Sequence, residues 1–319
     1  MVRWTRVQLT SAILLTCALL GALLLVVLGR GASRPAAHGG DGTSPGLGQA
    51  GFDLLTRSGS YPAYDYLLDR AERKLIQQCM AAAGFQYLTG QASPPRLGDE
   101  EREVDMAGRR EHGYGLFDQY GTSGHPTGEL QTTAGPALSA PEQAAYLHAL
   151  RGGSSDMRSI HLAGGGDIVV SGAGCEATSR QRLYHSLVEW AQIRYVPQRL
   201  NLSITPRVQA DTALAAAMHQ WAGCMAAQGY PYLSPGNATD RLRAEYQRAG
   251  PTPAMHRREI DVAVADGRCG LRLHIPSTVL SIRRHYADLL PAATRTELEQ
   301  LAVLWLASAR TARPFVDPA

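Results

Sequence analysis

The sequence predicts a mainly α protein, in which one N-terminal transmembrane helix precedes a disulfide-stapled helical ectodomain with a small β-hairpin insertion. Three observations support this fold class. Residues 7–29 carry no charge, apolar residues recur at helical spacing through much of residues 61–319, and four cysteines are distributed over that same region. Because 45% of the residues are hydrophobic and 18% are charged, the composition is that of a folded chain.

The uncharged segment between Arg6 and Arg30 is the strongest single signal in the chain. Its 23 residues would form a helix about 34 Å long, which is enough to cross a bilayer core of about 30 Å. Arg3 and Arg6 favour a cytoplasmic tail of residues 1–6 and an exported C-terminal part, and therefore a single-pass protein of the cell membrane. The alternative is a signal peptide that is cleaved near Ala32, which would release a secreted protein.

Residues 30–60 are predicted to be a flexible linker, because they are rich in Gly, Ala, Ser and Pro and poor in large apolar residues. Folded structure is expected to begin near Tyr61. Residues 61–203 are predicted to form a first helical repeat with a long insertion, and residues 204–319 a second helical repeat.

The repeat prediction depends on a phrase that occurs twice, CMAAAGFQY at residues 79–87 and CMAAQGYPY at residues 224–232. Each copy ends an apolar helical pattern with a glycine, the residue that most readily adopts the left-handed conformation of a helix stop. Thr205 and Pro206 are predicted to start the helix of the second copy. The aromatic pair after each glycine is interpreted as core that packs on the preceding helix, with ligand stacking as the alternative.

The insertion is the least regular part of the chain. It contains a predicted surface helix over residues 98–113, a short helix that begins at Pro141, and a β-hairpin at about residues 159–171, where two β-prone runs flank three glycines. A helix is then expected to start at Cys175. Because long irregular segments in compact domains are often functional, we expect any site to lie here.

The cysteines are expected to form two disulfides. Four cysteines, Cys79, Cys175, Cys224 and Cys269, allow three pairings, and an exported protein meets an oxidising environment. The repeat pattern favours one bridge within each copy, Cys79 with Cys175 and Cys224 with Cys269. The remaining Cys17 is interpreted as a small residue of the membrane helix, with lipidation as the alternative.

Several kinds of site are disfavoured by the sequence. The glycine runs near residues 164–174 have no lysine after them, so they do not predict a phosphate-binding loop, and the widely spaced cysteines lack the close pair of a zinc site. We therefore expect no cofactor and no metal. Cys175 at a helix start, with His185 nearby, could act as a nucleophile. The acidic residues Glu100, Glu101, Glu103 and Asp105 could supply a carboxylate pair for glycan hydrolysis, but such runs are usually solvated helix faces.

The chain resembles a group of uncharacterised actinobacterial membrane-anchored extracytoplasmic proteins. The resemblance is carried by the two Cys-Met-x-x-x-Gly-aromatic-x-Tyr phrases, by Gly-x-Gly-Cys-Glu at residues 172–176 and by Ala-Asp-x-x-Cys at residues 265–269. The resemblance covers residues 61–310 and implies a location outside the membrane, but it implies no activity. Lys74 is the only lysine, and such a preference for arginine is typical of a GC-rich genome.

These observations lead to one expected function and one alternative. Without Arg3 and Arg6 the formal charge of +3 falls to +1, which gives no electrostatic footprint for nucleic acid. We expect a non-catalytic, membrane-anchored extracytoplasmic protein that binds an envelope protein, a wall polymer or a small ligand. The alternative is an envelope hydrolase with its site in the insertion, residues 85–174.

Overall fold

The structure is a computed structural model that describes residues 46–88, 98, 103–121 and 138–316. The described residues are mainly helical and include one small antiparallel hairpin and two disulfides, as the sequence predicts. The described residues belong to one compact unit. The predicted transmembrane segment, residues 7–29, lies outside the described residues, and among the helices that are described none is long and apolar enough to cross a bilayer.

Helices precede and follow a single pair of strands in the described part of the chain. The helices are α1 (Gln49–Thr56), α2 (Tyr61–Ala82), α3 (Met106–His112), α4 (Leu116–Gly121), α5 (Ala140–Arg151), α6 (Gly174–Tyr184), α7 (Leu187–Gln209), α8 (Thr212–Ala227), α9 (Pro235–Ala249), α10 (Pro253–Arg272), α11 (Ile275–Asp288) and α12 (Ala292–Val316). Strands β1 (Met157–His161) and β2 (Asp167–Ser171) lie between α5 and α6 and pair with each other, with Ser159 opposite Val169.

The segment before α2 is folded, whereas the sequence predicts a flexible linker over residues 30–60. Helix α1 packs against α7, α11 and α12. The buried apolar side chains of this segment are Leu47, Phe52, Leu54 and Leu55. The guanidinium of Arg284 lies 3.7 Å from the centre of the Phe52 ring. The linker prediction is therefore wrong from residue 46 onward, because a composition averaged over thirty residues hides a short run in which the large apolar residues are concentrated.

The larger core joins α2 to α12, α6, α7 and the hairpin. Trp305 of α12 is buried, and its ring stacks on Tyr61 at 5.5 Å and meets the edge of Tyr64 at 5.2 Å. Helix α7 runs unbroken through the predicted repeat boundary between residues 203 and 204. The division into residues 61–203 and 204–319 is therefore corrected: elements from both halves build one core, because α12 covers the apolar face of α2.

Helix α8 begins later than predicted. Thr205 and Pro206 lie inside α7, and the side chain of Asp211 caps α8 by accepting a hydrogen bond of 2.8 Å from the backbone N–H of Ala213. Aspartate ranks above threonine as an N-cap. Proline within a helix costs a backbone hydrogen bond but does not always end the helix.

Two further predicted helices are divided by left-handed residues. The helix that starts at Cys175 ends as α6, because His185 has a φ of 64° and Ser186 then caps α7. Apolar residues at helical spacing over residues 258–290 predict one long helix with a kink at Pro276. The helix instead breaks at His274, where φ is 50°, and Pro276 lies in the first turn of α11.

The smaller core lies among α4, α8, α9 and α10. Its fully buried side chains include Trp221, Met225, Leu242, Tyr246 and Val262. Helix α9 was not predicted as a separate element, although Ser234 caps it and a proline occupies its first turn.

Helices α2 and α8, which carry the repeated phrase, end in the same geometry. Gly84 (φ 84°) donates to the carbonyl three residues before it at 3.0 Å, and Phe85 donates to the carbonyl five residues before it at 2.9 Å. Gly229 (φ 86°) and Tyr230 repeat both hydrogen bonds at 3.0 Å. This pair of bonds is the Schellman motif of helix C-termini. The repeated phrase therefore specifies a helix stop twice.

The disulfides join Cys79 to Cys175 and Cys224 to Cys269, the pairing that the repeat pattern favours. In both bridges the first cysteine lies one residue before the buried methionine of its helix. The partners differ, since Cys175 is the second residue of α6 and Cys269 lies near the end of α10. The likeness of the two copies is thus confined to the helix stop and the bridge.

The aromatic residues after each helix stop belong to the cores. Phe85 packs edge-on against the buried Tyr146 at 5.6 Å, in the cluster that contains Cys79 and Cys175. Tyr232 is buried in the smaller core. For Phe85 and Tyr232 this placement agrees with the packing interpretation.

Candidate functional site

A cavity of about 350 Å³ lies between α10 and α11, and we call it the α10–α11 cavity. Its lining comes from α1, α7, α8, α9, α10, α11 and the described part of the insertion. It has a polar floor, an apolar wall and one arginine at the end of that wall. The insertion contributes Glu103, Val104 and Arg109.

The floor is built around the carboxylate of Asp266, which is 5% exposed. One oxygen accepts a hydrogen bond from the indole N–H of Trp221 at 2.9 Å. The other accepts from the guanidinium of Arg109 at 2.6 Å and from the hydroxyl of Tyr114 at 3.0 Å. Burial, followed by the charge of Asp266, raises the pKa of the Tyr114 phenol, so the hydroxyl stays protonated and donates. Three donors therefore hold this buried charge.

A second buried carboxylate, Glu259, fixes the segment that carries Tyr114. Glu259 is 0% exposed. It accepts hydrogen bonds from the backbone N–H groups of Tyr114 (2.7 Å), Leu116 (2.8 Å) and Phe117 (3.0 Å), and from the hydroxyl of Tyr246 (2.7 Å). Burial, then the hydrogen bond to Glu259, raises the pKa of the Tyr246 phenol, which therefore also acts as a donor. The insertion is thereby attached to α10 through a carboxylate that water does not reach.

Neither carboxylate was predicted as a functional residue, although the sequence contains a signal for both. Glu259 and Asp266 are seven residues apart on α10, on the same face as the buried residues Val262 and Cys269. Charged residues that fall on an apolar helical stripe are seldom buried unless they are paired. Their position therefore indicates a buried polar network.

The apolar wall belongs to α11. Ile275, Pro276, Val279 and Leu280 line the cavity at helical spacing, and all four are partly exposed. Arg283 follows on the same face, one turn later. The wall is thus an apolar stripe that ends in a cation.

Arg283 has neutral partners in the described part of the chain. Its Nη1 donates to the amide oxygen of Asn201 at 2.6 Å and contacts the hydroxyl of Thr205 at 3.4 Å. Burial lowers the pKa of the guanidinium, while the more distant Glu103 raises it. An arginine nonetheless stays charged at neutral pH.

A second cavity of about 320 Å³ lies between α2 and the helices α6 and α7, and we call it the α2–α6 groove. Its arginines are paired with carboxylates of α2: Arg73 with Asp69 (2.7 Å), Arg180 with Glu72 (2.9 Å) and Arg194 with Asp65 (3.4 Å). Burial raises the pKa of Glu72, and the neighbouring Arg180 opposes this rise. Because opposite charges are matched along the groove, it offers less unbalanced charge to a ligand than Arg283 does.

The predicted site residues have the following outcomes. Cys79, Cys175, Cys224 and Cys269 are in disulfides, so Cys175 is not a free nucleophile in this structure, and His185 instead lies 3.7 Å from Glu189. In the acidic run, Asp105 caps α3 and Glu103 lines the α10–α11 cavity, while Glu100 and Glu101 lie outside the described residues. Within the described ranges no group of His, Cys, Asp and Glu side chains is arranged to hold a metal.

No protein-family model, curated protein or solved structure matches the chain.

Proposed function

We propose that this chain is a membrane-anchored extracytoplasmic protein that binds a small ligand in the α10–α11 cavity without transforming it. The observation that carries the proposal is the contrast within the cavity. On the floor, the charges of Asp266 and Arg109 neutralise each other. The wall, by contrast, presents apolar side chains and Arg283 to the cavity. Pockets of this kind, largely apolar with a few placed polar groups, are typical of small-ligand sites.

Two independent features support the extracytoplasmic location. Two disulfides connect helices of the body, and such bonds persist in oxidising compartments outside the cytosol. The uncharged residues 7–29 are long enough to anchor the chain in a bilayer.

Binding is favoured over the alternative, an envelope hydrolase with its site in residues 85–174. A glycosidase-type mechanism needs two carboxylates that face the substrate. The cavity is lined by the carboxylates of Asp266 and Glu103. Asp266 is occupied by three donors, and Glu103 is exposed at the rim. Neither arrangement presents a free, buried acid or base to a substrate.

Protease treatment of intact protoplasts tests the proposed location and membrane anchor. We expect digestion of everything beyond about residue 30, with a membrane-bound stub left behind. A soluble chain that starts near Ala32 would contradict the anchor, and protection of the body from protease would contradict the extracytoplasmic location.

Extraction of small molecules from the purified full-length protein, followed by mass spectrometry, tests binding. In Gly270→Met the new side chain enters the cavity lining, where an added Cβ meets only Val104 at 3.7 Å. Gly223→Met is the matched control, because Gly223 is exposed on α8 with open space around it. We expect a molecule that co-purifies with the wild type and the control and is lost from Gly270→Met. The same extract from all three proteins would contradict binding in this cavity.

A further inference from the structure

Arg283 differs from the other arginines that line the two cavities. Arg109 is committed to Asp266, and the arginines of the α2–α6 groove each have a carboxylate partner. Within the described residues, both contacts of Arg283 use Nη1, which leaves Nη2 and Nε to bind a ligand. A guanidinium whose Nε–Nη2 edge is free suits a carboxylate, which can accept two parallel hydrogen bonds from that edge.

The apolar wall sets the shape of the rest of the ligand. From Pro276 to Arg283 the axis of α11 rises about 11 Å, and Val279 and Leu280 lie between them with part of their surface uncovered. A ligand whose charged end binds Arg283 would place an apolar chain along this face and remove that surface from water.

The surrounding charges limit the ligand to a single negative charge. Glu103 on the rim carries a negative charge, and Asp266 on the floor is balanced by Arg109. Among the described residues Arg283 is a single cation without a carboxylate hydrogen-bond partner, and Glu103 already lies near it. This arrangement does not favour a dianion such as a phosphate monoester, because the second negative charge would have no partner.

From these three features we infer that the α10–α11 cavity binds an amphipathic monocarboxylate, with the carboxylate on Arg283 and an aliphatic chain along α11. This inference rests on the proposed function and names its ligand class. Asn201 and Thr205 act as positioning residues, since they orient the guanidinium through its other nitrogen.

Calorimetric titration with octanoate tests the inference, with octanamide as the uncharged probe of matched size. The full-length protein is held in zwitterionic lipid nanodiscs, and empty nanodiscs correct for partition into lipid. We expect saturable binding of octanoate and weaker binding of octanamide. Arg283→Gln should weaken octanoate binding by about tenfold to a hundredfold, whereas Arg283→Lys should retain part of it. Arg310→Gln, which removes an exposed arginine of α12, should have no effect.

Glu103→Gln should change the affinity for octanoate in the opposite direction. Because it removes the carboxylate that competes for Arg283, octanoate should bind several-fold more tightly, a result that general unfolding cannot produce. Equal binding by the wild type and Arg283→Gln, or an absence of octanoate binding, would overturn the inference. If extraction still recovers a different ligand that Gly270→Met excludes, the proposed function stands and only the ligand class is wrong.

Discussion

Replacement of Glu259 by glutamine should destabilise the protein although it changes one atom type and no volume. The carboxylate is surrounded by donors only. One oxygen accepts from the backbone N–H groups of Tyr114 and Leu116, and the other accepts from the N–H of Phe117 and the hydroxyl of Tyr246. An amide can accept at its oxygen, but its nitrogen must donate.

The cost of Glu259→Gln follows from these four contacts. If the amide oxygen faces Tyr114 and Leu116, the amide nitrogen faces Phe117 and Tyr246. The tyrosine hydroxyl can rotate and accept, but the backbone N–H of Phe117 cannot, and it is left buried without a partner at a cost of about 1 to 3 kcal/mol. The remaining bonds lose the charge that strengthened them, while burial of a neutral amide is less costly than burial of a carboxylate. We therefore expect a loss of about 2 to 3 kcal/mol in the free energy of unfolding.

Urea denaturation of wild type and variant, with the disulfides intact, measures this loss. Tyr246→Phe is the graded control, because it removes one donor and leaves the three backbone bonds, so it should cost about 1 kcal/mol. Glu111→Gln makes the same chemical change at an exposed site and should stay within about 0.5 kcal/mol of the wild type. A Glu259→Gln protein as stable as the wild type would refute the reasoning that this carboxylate attaches the insertion to α10.

Three further predictions concern the rest of the body. Gly267→Ala should destabilise the protein by about 1 to 3 kcal/mol, because the new Cβ would lie 2.5 Å from a methionine sulfur of α3. Gly270→Ala has room for its Cβ and should stabilise the protein by about 0.5 to 1 kcal/mol through helix propensity. Thermal unfolding of both variants checks this pair of predictions. Replacement of Cys224 and Cys269 by alanine should lower the free energy of unfolding by about 4 kcal/mol, measured in urea. Burial raises the pKa of Glu72 in the folded protein, so the protonated side chain contributes to the free energy of unfolding. This contribution should be fully present below the unfolded-state pKa of about 4.3 and should be lost as the pH rises through the higher pKa of the folded state. Glu72→Gln should remove that fall, and unfolding curves recorded at pH 4 and pH 7 would show whether it does.

The helices and the hairpin were largely predictable, because their signals are local. Apolar spacing, prolines in first turns and the glycine stops at Gly84 and Gly229 are all readable within a few residues. The cysteine pairing was also predictable, since it follows from one repeated phrase. Apart from the bridges, which join residues 96 and 45 positions apart, these features depend on neighbours in the sequence rather than on contacts between distant segments.

The larger errors concern contacts between distant segments. The apolar run that forms helix α1 is visible in the sequence, but nothing in that run identifies α7, α11 and α12 as the helices on which it packs. The predicted repeat boundary failed for the same reason, because the core around Trp305 combines elements from both ends of the chain. In the cavity, Glu259 and Asp266 were detectable as charges on an apolar stripe. Arg283 could not be detected in this way, because its lack of a carboxylate partner among the described residues depends on which residues the fold places around it.

The packing of α12 on α2 has a consequence for the order in which the protein folds. Tyr61 and Trp305, which stack in the larger core, stand near opposite ends of the folded chain. Contacts between such distant residues slow folding, because the entropy of closing a long loop must be overcome first. As the chain is synthesised from its N-terminus, α2 exposes an apolar face until α12 has been made. The larger core therefore closes only after α12 has been synthesised, and until then the exposed face of α2 is prone to aggregation.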